Sequence, residues 1–555
     1  MVLNTERNYS DQAESLSNPS DTSAKRPVFL REATGLVRAL GFRDHFFMSQ
    51  GMVLLINGFV ATVLFAPYFF PGANLYVAFA LGGIPPFCMA YVYGKLSAGM
   101  PRSGGDYVWS ARITGPLYAT IQMIFILSGL IYFNAFNIWQ MFFVALGAGF
   151  FGVGASPAVQ STFLTQLGIQ LTQVTWGLPL SMVMMGVILL VAFLGIRVYQ
   201  KFCLVAVPIY FVITLVFCVG ILMINPSSVQ PTFDSAMRFA GYNITYNSVL
   251  AQTTAGGFPA TSFNWTNTLL AAVPWGFLTY VLFNFSSYSA GETKNVKTSI
   301  YNAYLLSVIV TMVALEVMTW IVYSVFSTGF INSLAYVAGA TPSAFPVSPF
   351  PNFLLALSNP AAGALVAIGL FVGWMINSTG IIIYSSRMLF AASMDRVLPS
   401  RLGDVDDRFH IPWVATLVMG VICGIYLWFY WAYGAIAAIL NASITVPIGL
   451  ALPLYAAFLF PIVKPNLYKR LFGSMKGAAT LSTAGFVGGT GFAIYVFSET
   501  SPLVSGAFLG ASIYLAYEVV LVLLLASAGI YLLGRRRMKN AGIDPSLIFS
   551  EIPPE

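Results

Sequence analysis

Apolar residues fill long, almost unbroken blocks along most of the chain. They show neither the three-to-four-residue spacing of a half-buried helix nor the alternation of a strand. Blocks of about 20 residues are long enough to cross a hydrocarbon core of about 30 Å as helices. Twelve such spans are predicted, over residues 46–70, 73–98, 106–146, 174–195, 202–224, 268–291, 300–328, 361–394, 413–432, 435–462, 478–497 and 503–533. Spans 3 and 8 exceed the bilayer, so part of each tilts or projects. Residues 1–44 are polar, lack the apolar core of a cleavable signal and read as a disordered cytoplasmic tail. The expected fold is all-α and polytopic. A membrane β-barrel would need an alternation of apolar and polar residues that is absent.

One block carries polar residues where lipid would not accept them. Residues 276–295, GFLTYVLFNFSSYSAGETKN, place Asn284, Ser286, Ser287, Ser289 and Glu292 in or just after span 6. The opening octet, GFLTYVLF at 276–283, shares five of eight positions with GFVATVLF at 58–65 in span 1. Four further spans follow each octet, which suggests two inverted halves. The expected organisation is a first repeat over 45–225, an extracellular loop over 226–267 and a second repeat over 268–462. Spans 11 and 12 then occupy 463–534, and a cytoplasmic tail runs over 535–555. In such a five-plus-five arrangement spans 1 and 6 are expected to be broken. A broken helix frees backbone groups that cost several kcal/mol each if left dry, so it persists only beside a cavity, water or ligand. A half-helix N-terminus suits a carboxylate, and freed carbonyls suit an ammonium. A zwitterionic amino acid matches both.

Composition and charge support this topology. The chain is 58% hydrophobic and 8% charged, against about 25% charged in soluble domains. With both termini inside, 25 of the 26 Lys and Arg fall on the cytoplasmic side, and only Arg238 lies outside. The net charge of +7 therefore reflects topology, and no basic face argues for nucleic acid. Cys88, Cys203, Cys218 and Cys423 sit in apolar spans as small hydrophobes. His45 and His410 share no ligand spacing, so no metal or other cofactor is expected. Spans without clustered His, Asp or Cys do not suggest an enzyme. Asn243 and Asn264 head glycosylation sequons in the long outer loop.

Three cytoplasmic-side stretches carry a family resemblance. PRSGGDYVWSARITG at 101–115, AGETKN at 290–295 and RMLFAASMDRVLP at 387–399 resemble motifs of amino acid–polyamine–organocation permeases, in order and spacing. The resemblance implies secondary transport of an amino acid or related amine across the cell membrane, through a site made by broken helices 1 and 6 with helices 3, 8 and 10. The family's Gly-x-Gly-Ile-Phe run is missing, and Val60-Ala61-Thr62-Val63-Leu64 stands there with Asn57-Gly58 upstream. Either the break shifts to Gly58 or the helix bends at Pro67. Leu282 and Asn284 likewise replace a glycine and an acid common in span 6, which weakens the case for a polycation.

The substrate-binding residues expected are Asn57, Gly58, Ala61 and Thr62 on span 1, Asn134 on span 3 with Asn137 a turn away, Phe277, Asn284 and Ser287 on span 6, and Asn377 and Ser378 on span 8. Asn441, Ser443 and Thr445 are the polar residues of span 10. Helix–helix hydrogen bonding is the competing role for each of them. Glu292 is expected to form a cytoplasmic gate with Arg102 or Arg387, with Lys95 a further partner. Glu316, mid-span in span 7, costs about 2.5–3.5 kcal/mol if ionised there, and is the candidate for proton coupling. Where some proton-coupled relatives carry a lysine in span 5, this chain has Tyr210. Proton or sodium symport is expected, with exchange or facilitated passage as the alternatives and a monomer or homodimer as the assembly.

Overall fold

The computed structural model describes residues 40–544 and 548–549, apart from 54, 273–275, 277–278, 281, 407, 434–441 and 500–512. Among the described residues, eleven helices are long and apolar enough to cross a membrane. Five come first: α1 (Phe42–Phe69), α2 (Leu75–Gly99), α3 (Pro116–Ala155), α4 (Val174–Phe193) and α5 (Ile196–Leu222). A short helix, α6 (Trp265–Ala271), follows where the sixth span was predicted. Six more complete the set: α7 (Val296–Phe326), α8 (Pro360–Met394), α9 (Trp413–Tyr433), α10 (Ile444–Val463), α11 (Ala478–Phe497) and α12 (Tyr517–Asn540). The described residues contain only isolated bridges and no strand.

Prediction and structure differ where glycine and proline punctuate the chain. Predicted span 3 divides into Gly105–Ile113 and α3, because Gly115 takes a φ of +114° ahead of Pro116. A π-helical turn, Met141–Gly147, interrupts α3 further along. The outer loop holds two helices, Pro226–Phe239 and Tyr246–Ala255, the first N-capped by Asn225 and the second closed by a Thr245/Ser248 capping box. Two more, Thr328–Ala340 and Pro351–Ser358, fill the connection from α7 to α8.

Burial separates core helices from lipid-facing ones. In α8, 78% of the apolar window is buried, against 11% in α12. Large apolar side chains such as Val183, Leu190, Leu215 and Leu525 are exposed on the outer helices. On a soluble surface they would drive aggregation, but here the bilayer covers them. The first half of α1 packs against α5, α7, α8 and the segment 283–288. That segment and α1 therefore stand at the centre of the fold.

Candidate functional site

At this centre the backbone of α1 meets side chains of α5 and α8, and the sixth span departs from regular helix. Helix α1 runs over Phe42–Phe69, with residue 54 outside the described residues. Here the N–H groups of Ile56 and Asn57 donate to the Tyr210 hydroxyl, at 3.0 and 3.2 Å. The Met52 carbonyl accepts from Asn377 Nδ2 at 2.7 Å. Side chains of α5 and α8 thus bond backbone groups of α1. Leu55–Phe69 is continuous helix through Gly58 and residues 60–64, with Pro67 inside it. Tyr210 stands where the sequence reading looked for a lysine.

In the sixth span, Leu282 has a φ of +78° and leads into two 3₁₀ turns, Phe283–Tyr288 and Ala290–Glu292. A left-handed leucine costs about 1–2 kcal/mol, so the surroundings must hold it. Leu40 N–H donates to the Glu292 carbonyl and Lys294 N–H to the Leu40 carbonyl, both at 2.9 Å, and Gly104 N–H reaches the Tyr288 carbonyl at 3.2 Å. The Ser286 hydroxyl lies 3.1 Å from the Ser49 hydroxyl and donates to the Tyr304 hydroxyl at 3.0 Å, which donates in turn to the Asn284 carbonyl at 2.8 Å. The pair Gly104-Gly105 in the 101–115 motif now has a physical reason. Both take positive φ, and a Cβ on Gly104 would lie 2.3 Å from that of Ala391.

Polar side chains from four elements gather in this region. Asn137 Nδ2 donates to Asn377 Oδ1 at 2.7 Å, and Asn134 Nδ2 to the Ser378 carbonyl at 3.0 Å. Asn134 Oδ1, Ser378 Oγ, Ser287 Oγ and both amide atoms of Asn284 are buried with no hydrogen-bond partner among the described residues. Such atoms normally have partners, and here they cluster on α3, α8 and the sixth span. Asn57 is instead engaged at both ends, accepting from Tyr210 at 2.6 Å and donating to the Leu370 carbonyl at 2.9 Å. Gly58 packs on Thr279, so the two matching octets touch; Thr62 is buried and Ala61 half-buried. Phe277 and Asn441 lie outside the described residues, as does the Ser443 side chain.

The charged groups sort themselves differently. Arg387 Nε donates to Glu292 Oε1 at 2.9 Å, and both are buried. Arg102 donates to the Pro101 carbonyl, and Lys95 lies 4.7 Å above the Phe472 ring. A second buried pair, absent from the sequence reading, joins Arg112 Nη2 to Asp395 Oδ1 at 2.8 Å. Glu316 is half-buried near Tyr76 and Tyr280, with no hydrogen bond or ion pair among the described residues. The sequence reading also passed over Asp106, a fully buried carboxylate inside the quoted motif, with its donors Tyr93 and Tyr288. Its signal was available: a lone acid at the start of an apolar span.

Eleven bilayer-length helices among the described residues, with an irregular sixth span beside unpartnered polar groups, fit a membrane transporter. A family model described as "Amino acid permease" matches residues 40–525, and the chain belongs to that family, within the amino acid–polyamine–organocation superfamily. It is similar to the branched-chain amino acid permease BcaP of Lactococcus lactis subsp. cremoris (strain MG1363), 22% identical over 501 residues, covering 86% of this chain and 94% of that protein. A second relative is the branched-chain amino acid permease BcaP of Bacillus subtilis (strain 168), also 22% identical, over 418 residues, with 74% and 75% covered.

Proposed function

We propose that this chain is a secondary transporter of amino acids with apolar side chains, working by alternating access across the cell membrane. In this reading both termini are cytoplasmic, the sixth span completes twelve, and the five-plus-five repeat brings spans 1 and 6 together at a midplane site. The observation that supports it is the α1 backbone bonded by Tyr210 and Asn377 beside a sixth span that leaves regular helix at Leu282. Around them lie the unpartnered atoms of Asn134, Asn284, Ser287 and Ser378.

The chemistry of the lining supports a zwitterion with a neutral side chain. The buried charges of Arg112, Arg387, Glu292 and Asp395 are paired with one another. Recognition of the ammonium and carboxylate then falls to freed backbone groups and neutral amides and hydroxyls. A lysine or glutamate side chain would enter without a counter-charge, at a cost of several kcal/mol. The two relatives named as branched-chain permeases agree with this preference. The Glu292–Arg387 pair serves as a cytoplasmic latch. Uptake of labelled leucine, isoleucine and valine into proteoliposomes tests the reading. Saturable counterflow competed by those three, and not by lysine or glutamate, is expected; no saturable uptake of any amino acid would overturn it.

A further inference from the structure

Asp106 is the one fully buried carboxylate among the described residues that has no cationic partner in an ion pair. Its surroundings are built from several elements. Tyr93 of α2 donates to Oδ2 at 2.6 Å and Tyr288 of the sixth span at 3.1 Å. Gln122 of α3 lies alongside, and Tyr304 of α7 completes the titratable neighbours. The buried guanidinium groups nearby on the cytoplasmic side, Arg112 and Arg387, bond Asp395 and Glu292. His45 is held by Thr293 at 2.7 Å.

The placement of the two hydrogen bonds is informative. Both phenols address Oδ2, while Oδ1 is buried without a hydrogen-bond partner. A neutral carboxyl fits this pattern: Oδ2 accepts the two phenol donors, and the buried Oδ1 carries the proton. An ionised carboxylate would have no cation beside it to offset its burial.

Asp106 is also mechanically tied to the unwound part of the sixth span. The residues just before it form a bridge, Ser103 to Ser289, and Gly104 N–H bonds the Tyr288 carbonyl. A Cβ on Gly105 would lie 2.3 Å from the Tyr288 ring. Asp106 is fully buried in the closed seam.

We propose that Asp106 is the proton-binding group of the transport cycle, and that loss of its proton is linked to undocking of the 283–288 segment. The proposal rests on the transport reading above and adds its coupling ion. A neutral Asp106 stays sealed between Tyr93 and Tyr288; once ionised, it requires hydration, which separation of this seam provides. By linkage, opening of the seam favours proton release and protonation favours closure. The substrate's inward passage then carries one proton: Asp106 is protonated in the outward-facing state of the cycle and yields its proton to the cytoplasm as the seam opens.

Reconstituted wild type, Asp106→Asn and Tyr288→Phe test this, with the lumen loaded with a pH-sensitive dye. Wild type is expected to accumulate leucine against its gradient when the outside is acid, with dye acidification that tracks the leucine influx. Asp106→Asn should lose both the accumulation and the proton flux while retaining leucine counterflow, with a flat pH profile. Proton-driven accumulation by Asp106→Asn overturns the proposal, as does net wild-type leucine uptake without any proton flux. If the Asn variant does not fold, Tyr288→Phe decides: a displaced pH profile of counterflow supports the proposal and an unmoved one overturns it. Failure of the transport reading would look different, since wild type would then show no counterflow at all.

Discussion

Replacing Tyr210 with Phe removes one oxygen and leaves the ring in place, which makes it a direct probe of the α1 backbone at Ile56 and Asn57. That hydroxyl accepts from the Ile56 and Asn57 N–H groups and donates to Asn57 Oδ1, at 3.0, 3.2 and 2.6 Å. Each bond contributes about 0.5–1.5 kcal/mol net, so three bonds amount to roughly 1.5–4.5 kcal/mol. Their loss frees the α1 backbone and the Asn57 amide to shift beside the proposed site. If the apparent affinity scales with the fraction of molecules that keep this geometry, a shift of about 1.4 kcal/mol raises the leucine KM roughly tenfold. Uptake kinetics in proteoliposomes and thermal unfolding in detergent read the two effects together. A Tyr210→Phe variant with unchanged KM and unchanged unfolding temperature would refute the assignment of Tyr210 as the group that positions α1 at the site.

Other substitutions test separate parts of the account. Leu282→Ile conserves volume but forces a β-branched residue into the left-handed region, and a loss of roughly 2 kcal/mol in unfolding measurements is expected; wild-type stability would argue against that backbone geometry. Arg387→Ala strands a buried Glu292 and should cost about 3–5 kcal/mol, with much of it recovered by the double change Glu292→Gln, Arg387→Gln; equal losses in single and double variants would contradict the pairing. Gly104→Ala places a methyl against Ala391 at positive φ and is expected to abolish folded yield on size-exclusion chromatography.

The sequence exposed the spans far better than the contacts between them. Blocks such as 174–195 and 413–432 match α4 and α9 to within about two residues, because a bilayer-length apolar run has one stable fate. The polar run in 276–295 also announced a departure from helix. The bonds from Tyr210 and Asn377 to the α1 backbone had no local signal, since the partners lie 154 and 325 positions apart in the chain. Left-handed backbone at Leu282 is equally silent in the sequence, where leucine argues for helix. Arg112 and Asp395 are separated by 283 positions and nothing local pairs them. Asp106 was visible as a residue, but the absence of a cation beside it is a property of the assembled fold.

Substrate protection of an introduced thiol tests the central claim most directly. In a background with Cys88, Cys203, Cys218 and Cys423 replaced, Ser287→Cys and Ser378→Cys place single thiols at two of the unpartnered hydroxyls. Leucine should slow maleimide labelling of both in a saturable way, with a midpoint that follows the KM of uptake, and lysine should not. Labelling that leucine leaves unchanged in variants that still transport it would show that the substrate passes elsewhere, and would contradict a site built between α1, α3, α8 and the sixth span.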